Sequence, residues 1–156
     1  MLAAAGCAAS GRIEEGRFRS SKGYRVQLPE NGWTVTGENG ADLVLRRDGA
    51  AAEMIVNASC DETLRSRSHE ILARHLLMGL RHRTVVERGE AVVSGRAARH
   101  VVLEADADGG GRVRVDAYVV KDDRCVYDFL YAAPAATFEA GRGEFQRLVE
   151  SFTASE

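Results

Sequence analysis

Apolar and polar residues alternate through much of the chain, and a period of two predicts half-buried strands. Tyr24, Val26 and Leu28 alternate within residues 18–28, and Pro29-Glu30-Asn31-Gly32 breaks the run as a turn. An extended segment restarts at residues 33–36, and Gly37-Glu38-Asn39-Gly40 turns the chain again. Residues 41–47 place Leu43 and Leu45 inward, and Asp48-Gly49 is a strong hairpin signal. Residues 51–59 return with Met54 and Val56 on one face, so the first third is an antiparallel meander. Two short extended pieces follow at 84–87 and 90–93, around Arg88-Gly89. A longer strand at 96–106 carries Val101, Leu103 and Ala105 on one face. Asp108-Gly109-Gly110-Gly111 turns it into residues 112–121, with Val113, Val115, Ala117 and Val119 in phase. A last strand at 124–133 has an aromatic face, Tyr127, Phe129 and Tyr131, and Pro134 ends it.

Two segments change period. Asp61 is a good N-cap, and Leu64, Ile71, Leu72, Leu76 and Leu80 recur at helical spacing. These predict one amphipathic helix over residues 62–81. Phe138, Phe145, Leu148, Val149 and Phe152 form a second helical stripe, which predicts a helix over 141–152 docked on the sheet. Strands, helix, strands, helix argues an α+β fold with an antiparallel sheet. At 156 residues the chain suits one domain, assigned to residues 18–156 behind a distinct N-terminal stretch, 1–17.

Charge and chemistry narrow the function classes. Twenty-one Lys plus Arg oppose 23 Asp plus Glu, for a net charge of −2, so the concentrated basic surface that nucleic acid requires is not expected. No run of about 18 apolar residues predicts a transmembrane helix. The four histidines, His69, His75, His82 and His100, fit no metal-ligand spacing, and no metal or cofactor is expected. There is no Gly-x-Ser-x-Gly, and the Asp108–Gly111 turn joins strand to strand, unlike a phosphate loop. Asp61 and Glu62 beside Cys60 disfavour a thiolate, and Asp122-Asp123 and Glu14-Glu15 read as solvated charge in turn and tether. No catalytic residue is therefore assigned. Arg65, Arg67, Arg74 and Arg81-His82-Arg83 make the long helix locally basic, either as a solvated face or as a contact for anionic lipid headgroups.

The N-terminus and the cysteines bear on compartment. Ala4-Ala5-Gly6-Cys7 resembles the lipobox of bacterial lipoproteins, in which the cysteine carries the lipid, so Cys7 is the expected lipidation site. The six residues before it are short for a secretory signal, which implies a truncated one, and residues 10–17 read as a polar tether. Cys60 and Cys125 each share strand parity with apolar neighbours; they are either one disulfide of an exported domain or two buried thiols.

The stretches GYRVQLPENGW, ADLVLRRDGAAAEMIVNA and CVYDFLYAAPAATFEAGRGEFQRLVESF resemble the start and end of PsbP-like and Mog1-like domains, over residues 18–152. The resemblance implies an antiparallel sheet packed between helices, an α/β/α sandwich. That fold serves photosystem accessory subunits, a nuclear-transport factor and bacterial lipoproteins of undefined role. No catalytic residues define it, so none carry over. The expectation is a non-enzymatic, lipid-anchored module of the bacterial cell envelope whose partner is another envelope protein. The alternatives are a small-molecule or lipid carrier with a pocket lined by Tyr118, Tyr127 and Tyr131, and a cytoplasmic version if Cys7 is incidental.

Overall fold

The computed structural model describes residues 11–37 and 40–155. Cys7 and part of the turn expected at residues 37–40 lie outside the described residues. A four-stranded antiparallel sheet holds β1 (Gly11–Glu14), β2 (Arg17–Ser20), β3 (Tyr24–Gln27) and the final strand, β11 (Thr153–Ala154), in that order. A seven-stranded antiparallel sheet contains β4 (Trp33–Thr36), β5 (Leu43–Arg47), β6 (Glu53–Ser59), β7 (Thr84–Val93), β8 (Arg96–Asp106), β9 (Arg112–Lys121) and β10 (Val126–Pro134). Its order is β4-β5-β6-β10-β9-β8-β7, with β4 and β7 at the edges. The helices are α1 (Glu62–Arg65), α2 (His69–Leu76) and α3 (Phe138–Glu150).

Period-two patterning decides what each face of the large sheet covers. From β10, Tyr127, Phe129 and Tyr131 point to one face and meet Phe138, Phe145, Leu148 and Phe152 of α3 and its end, together with Phe18, Tyr24 and Val26 of the small sheet. Val126, Leu130 and Ala132, one residue out of phase, point to the other face with Val101, Leu103, Val115 and Val119, under Leu72, Ala73 and Leu77. The fold is a sheet-rich α+β arrangement rather than a plain helix–sheet–helix sandwich. One face is covered jointly by α3 and a second sheet, and the other only partly, by the short α2.

Close approach explains how α3 seats. A Cβ at Gly141 would lie 2.6 Å from the Tyr131 hydroxyl oxygen, so only glycine lets the helix sit this near β10. The Tyr131 hydroxyl donates to the Phe138 carbonyl at 2.8 Å, fixing the helix's first turn. The helix accordingly begins at Phe138, three residues before the expected start.

Three other expectations change. The helix expected over 62–81 is two pieces. Ser68 leaves the helix path to cap α2, its Oγ accepting from the Ile71 N–H at 3.2 Å. The carbonyls of Arg65 and Arg67 that the break frees are taken by the Lys121 ammonium, at 3.1 and 2.7 Å. Of the polar tether expected over 10–17, residues 11–17 enter a hairpin: β1 pairs with β2 through Glu15-Gly16, both at positive φ (51° and 74°), a turn that matches strand twist. The two short pieces around Arg88-Gly89 are one ten-residue strand, β7, whose ladder with β8 slips by one residue between Val85 and Glu87.

Candidate functional site: the α2–β7 face

β7 is paired on one side only, and α2 covers just the inner strands beside it. A groove therefore runs between them. Its floor is Ala73 and Leu77 of the helix side and Val101 and Leu103 of β8, with Val85 of β7 along one wall. Four arginines rim it: Arg74, Arg83, Arg88 and Arg99. This section encloses about 350 Å³, and an adjoining section of about 540 Å³, past His69, Val92 and Ala97, shares Glu70 and Arg99 with it.

Charge is unevenly satisfied here. Arg74 reaches Glu70 at 3.6 Å, and Arg83 donates to the Leu77 carbonyl at 3.3 Å. Arg88 and Arg99 have no hydrogen bond or ion pair among the described residues. Between Arg65 and Arg99 the sequence holds eight arginines and three glutamates, although the whole chain is at −2. The exposed large apolar side chains gather at the same end. They are Ile71, Met78, Val85, Val86 and Val92, and Met78 and Val92 are each 74% exposed. Unpaired guanidinium groups over an apolar floor suit a partner that presents a carboxylate or phosphate next to apolar surface.

The opposite face of the same strands holds a histidine–carboxylate pair. His100 Nε2 lies 2.6 Å from Asp116 Oδ1, and the Arg142 Nε donates to Asp116 Oδ2 at 3.3 Å. Asp116 is fully buried. The His100 ring stacks on Tyr118 at 4.2 Å, and burial, then the Asp116 charge, pushes the Tyr118 hydroxyl up to about 12. Arg142 also reaches Glu87 of β7 at 3.4 Å. The other ring nitrogen of His100 meets no hydroxyl or thiol among the described residues. The cluster ties α3 to β7, β8 and β9.

The remaining sequence candidates are dispersed. His69 faces the Ala97 carbonyl, His75 faces Arg67, and His82 pairs with Asp106, whose carboxyl it holds below the usual range with help from Arg112. No cluster of three His, Cys, Asp or Glu side chains among the described residues is placed to hold a metal ion. Tyr118 borders a groove with Val92 and Gln146, away from the buried rings of Tyr127 and Tyr131. Tyr127 and Tyr131 are 0% and 1% exposed, packed on Phe152, Phe138 and Phe145, so they fill the space a carrier would need open. Asp122, expected to be solvated, is instead well partnered. It accepts from the N–H groups of Arg124 and Cys125 and from the Tyr127 hydroxyl, at 2.8–2.9 Å. Burial pushes its carboxyl up, but these donors and Arg96 more than offset that and hold it below the usual range.

Cys60 and Cys125 form a disulfide. The bridge continues the ladder in which Ser59 opposes Val126, one step beyond both strand ends. Sequence reasoning found the basic residues of α2 but missed Arg88 and Arg99, because only the β7–β8 pairing brings them beside the helix. It also missed Asp116, whose contact with His100 runs diagonally across the β8–β9 ladder.

No family model and no curated protein sequence matches the chain. Solved structures do. LpqN, involved in cell envelope biogenesis of Mycobacterium tuberculosis, is 12% identical with a TM-score of 0.66, over 85% of this chain and 84% of that one. Cyanobacterial PsbP (CyanoP) from Synechocystis is 17% identical with a TM-score of 0.62, over 99% and 98%. A protein of unknown function from Pseudomonas aeruginosa is 10% identical with a TM-score of 0.60, over 90% and 96%. The chain has a PsbP/Mog1-like fold.

Proposed function

We propose that the protein is a non-enzymatic accessory module of the bacterial cell envelope, anchored by lipid at Cys7, that docks another envelope component on its α2–β7 face. The observation that carries this is the convergence, on one end of the domain, of unpaired arginines and exposed apolar side chains over an open groove. The compartment has separate support. A disulfide suits an oxidising location outside the cytoplasm, and the neighbour LpqN acts in envelope biogenesis. No helix among the described residues is long and apolar enough to cross a membrane, and the attachment proposed is the lipid at Cys7. The expected partner presents acidic groups beside an apolar surface.

Fractionation and capture test the proposal together. Chain expressed behind a functional export signal is expected in the membrane fraction, and Cys7→Ser is expected to release it. A specific envelope component should be retained by the wild-type domain and about thirtyfold less by Arg74→Glu/Arg99→Glu, in line with losing two charge contacts at roughly 1 kcal/mol each. Equal retention by both would overturn the assignment of the docking face.

A further inference from the structure

The outer edge of the ten-residue β7, Thr84–Val93, has no partner strand among the described residues, so the backbone groups that alternate outward are unpaired with a strand. Exposed edges template the pairing of other strands, and many proteins block them with charges that repel an incoming copy. The charges on β7 are arranged differently. The run Val85-Val86-Glu87-Arg88-Gly89-Glu90-Ala91-Val92-Val93 is close to self-complementary about Gly89.

We infer that β7 pairs antiparallel with β7 of a second copy, about a twofold axis normal to the sheet at Gly89. This goes beyond the accessory role and does not depend on it. In that register Val86 opposes Val92 and Arg88 opposes Glu90, each twice by symmetry; the pairing stops at the slip, since Val85 lines the α2 side and Val93 packs in the core on the other. Opposed residues in an antiparallel pair lie on the same face. Arg88 stands across the β7–β8 ladder from Val101 and Glu90 from Arg99, and both those β8 residues line the α2 side. The two charges thus project to one side and meet across the seam. Neither has a hydrogen bond or ion pair among the described residues. Val92 stands across from Ala97 on that same side, and the slip at Val86 turns Val85 and Val86 toward it, so the seam would cover much of the exposed valine surface.

The register is specific. Moving the axis to residue 88 sets Arg88 against Arg88, and moving it to residue 90 sets Glu90 against Glu90. Like charges directly opposite are unfavourable, so both neighbouring registers are penalised. At the axis itself Gly89 brings no side chain, and a Cβ there would meet nothing within 4 Å. A strand seam is small beside the roughly 1,600 Å² of a standard interface, so the expected dimer is reversible, with a Kd on the order of micromolar. The product is a 14-stranded sheet, twice the seven strands of one copy, with both grooves on the same side.

Sedimentation velocity over a concentration series tests the seam on the folded, disulfide-bonded chain. Wild type should show a monomer–dimer equilibrium. Arg88→Glu and Glu90→Arg should each weaken it about tenfold, because each sets two like-charge pairs across the seam. The double variant Arg88→Glu/Glu90→Arg should restore it. A second measurement tests the axis. Gly89→Cys is expected to link to itself under mild oxidation, since opposed Cα atoms in an antiparallel pair lie about 4.5–5.5 Å apart, within disulfide reach. Val92→Cys is more exposed, but it should not self-link, because its symmetry mate lies six residues along, roughly 20 Å away. A chain that stays monomeric at every concentration overturns the inference. So does failure of the charge swap to rescue, or self-linking of Val92→Cys as readily as Gly89→Cys.

Discussion

The disulfide corner and the α2–β7 end treat charge in opposite ways. At the corner, Asp42 is buried yet accepts from the Lys22 ammonium at 2.7 Å, the Tyr24 hydroxyl at 2.8 Å and the Ala58 N–H at 2.9 Å. Burial first, and then the Asp42 charge, drives the Tyr24 hydroxyl well above its ordinary range. Asp122 is similarly enclosed by backbone donors and Tyr127, whose hydroxyl is pushed up to about 12 by burial and by Asp122. On the α2 side of β8 and along β7, arginines stand open over an apolar floor. Burying a charge is tolerable only when its partners are supplied, and the corner supplies them within the chain. The other end leaves its guanidinium groups for something outside the chain. The first region satisfies its charges within the fold, and the second is where docking is proposed.

The sharpest way to break that contrast is at the corner. Cys60→Ser/Cys125→Ser opens a loop spanning 65 residues, and the chain-entropy model gives a loss of about 4 kcal/mol. Urea midpoints should fall in the variant, and added reductant should lower wild type to the same midpoint while leaving the variant unmoved. Next comes Asp116→Ala, which strips Arg142 and His100 of their shared carboxylate and should cost about 3 kcal/mol. Asp116→Asn, keeping one acceptor, should recover part of it.

Asp128 sharpens the comparison because it belongs to β10 but lacks the corner's provision. It lies on the α2 side of the sheet, across from Asn57 and Val119, and has no hydrogen bond among the described residues. Burial pushes its carboxyl up to about 7. An unfolded aspartate titrates near about 3.9, so the folded state holds this proton more tightly. Ionising Asp128 then costs stability, which should fall as pH rises from about 4 to about 7. Asp128→Asn should flatten that fall and leave the protein more stable at pH 8 by about 2 kcal/mol, as chemical denaturation at both pH values would reveal. The smallest effect belongs to the recognition end. Met78→Ser and Arg99→Gln should change stability by less than about 0.5 kcal/mol, although they alter the proposed docking face. A large loss of stability from either would mean that this surface holds the fold together.

Period-two alternation made the large sheet readable. Residues 112–121 and 96–106 emerge with their expected bounds, and parity placed Cys60 and Cys125 beside the apolar faces they share. Alternation could not reveal how Ser68 would resolve, because its hydroxyl competes with the helix only once Lys121 arrives from β9 to take the released carbonyls. Nor could it show that residues 11–14 pair, since Gly11, Arg12, Ile13 and Glu14 carry little apolar signal and are held by the neighbouring β2. The candidate site was half legible. A cluster of arginines is visible along α2, but a groove exists only where a helix and an edge strand stand side by side.

The pairing of β11 with β3 gives the order of synthesis a physical meaning. Arg25 and Thr153, which the Arg25 Nε–H joins at 2.9 Å, are 128 residues apart. At about 5–20 residues per second, β3 waits on the order of ten seconds for the strand that completes its sheet. Tyr24 lacks one of its ring partners for that interval, because Phe152, 6.0 Å from it, arrives with the same late segment. The small sheet is thus left incomplete until residues 152–154 are made, and factors that handle unfolded polypeptide have that long to take it.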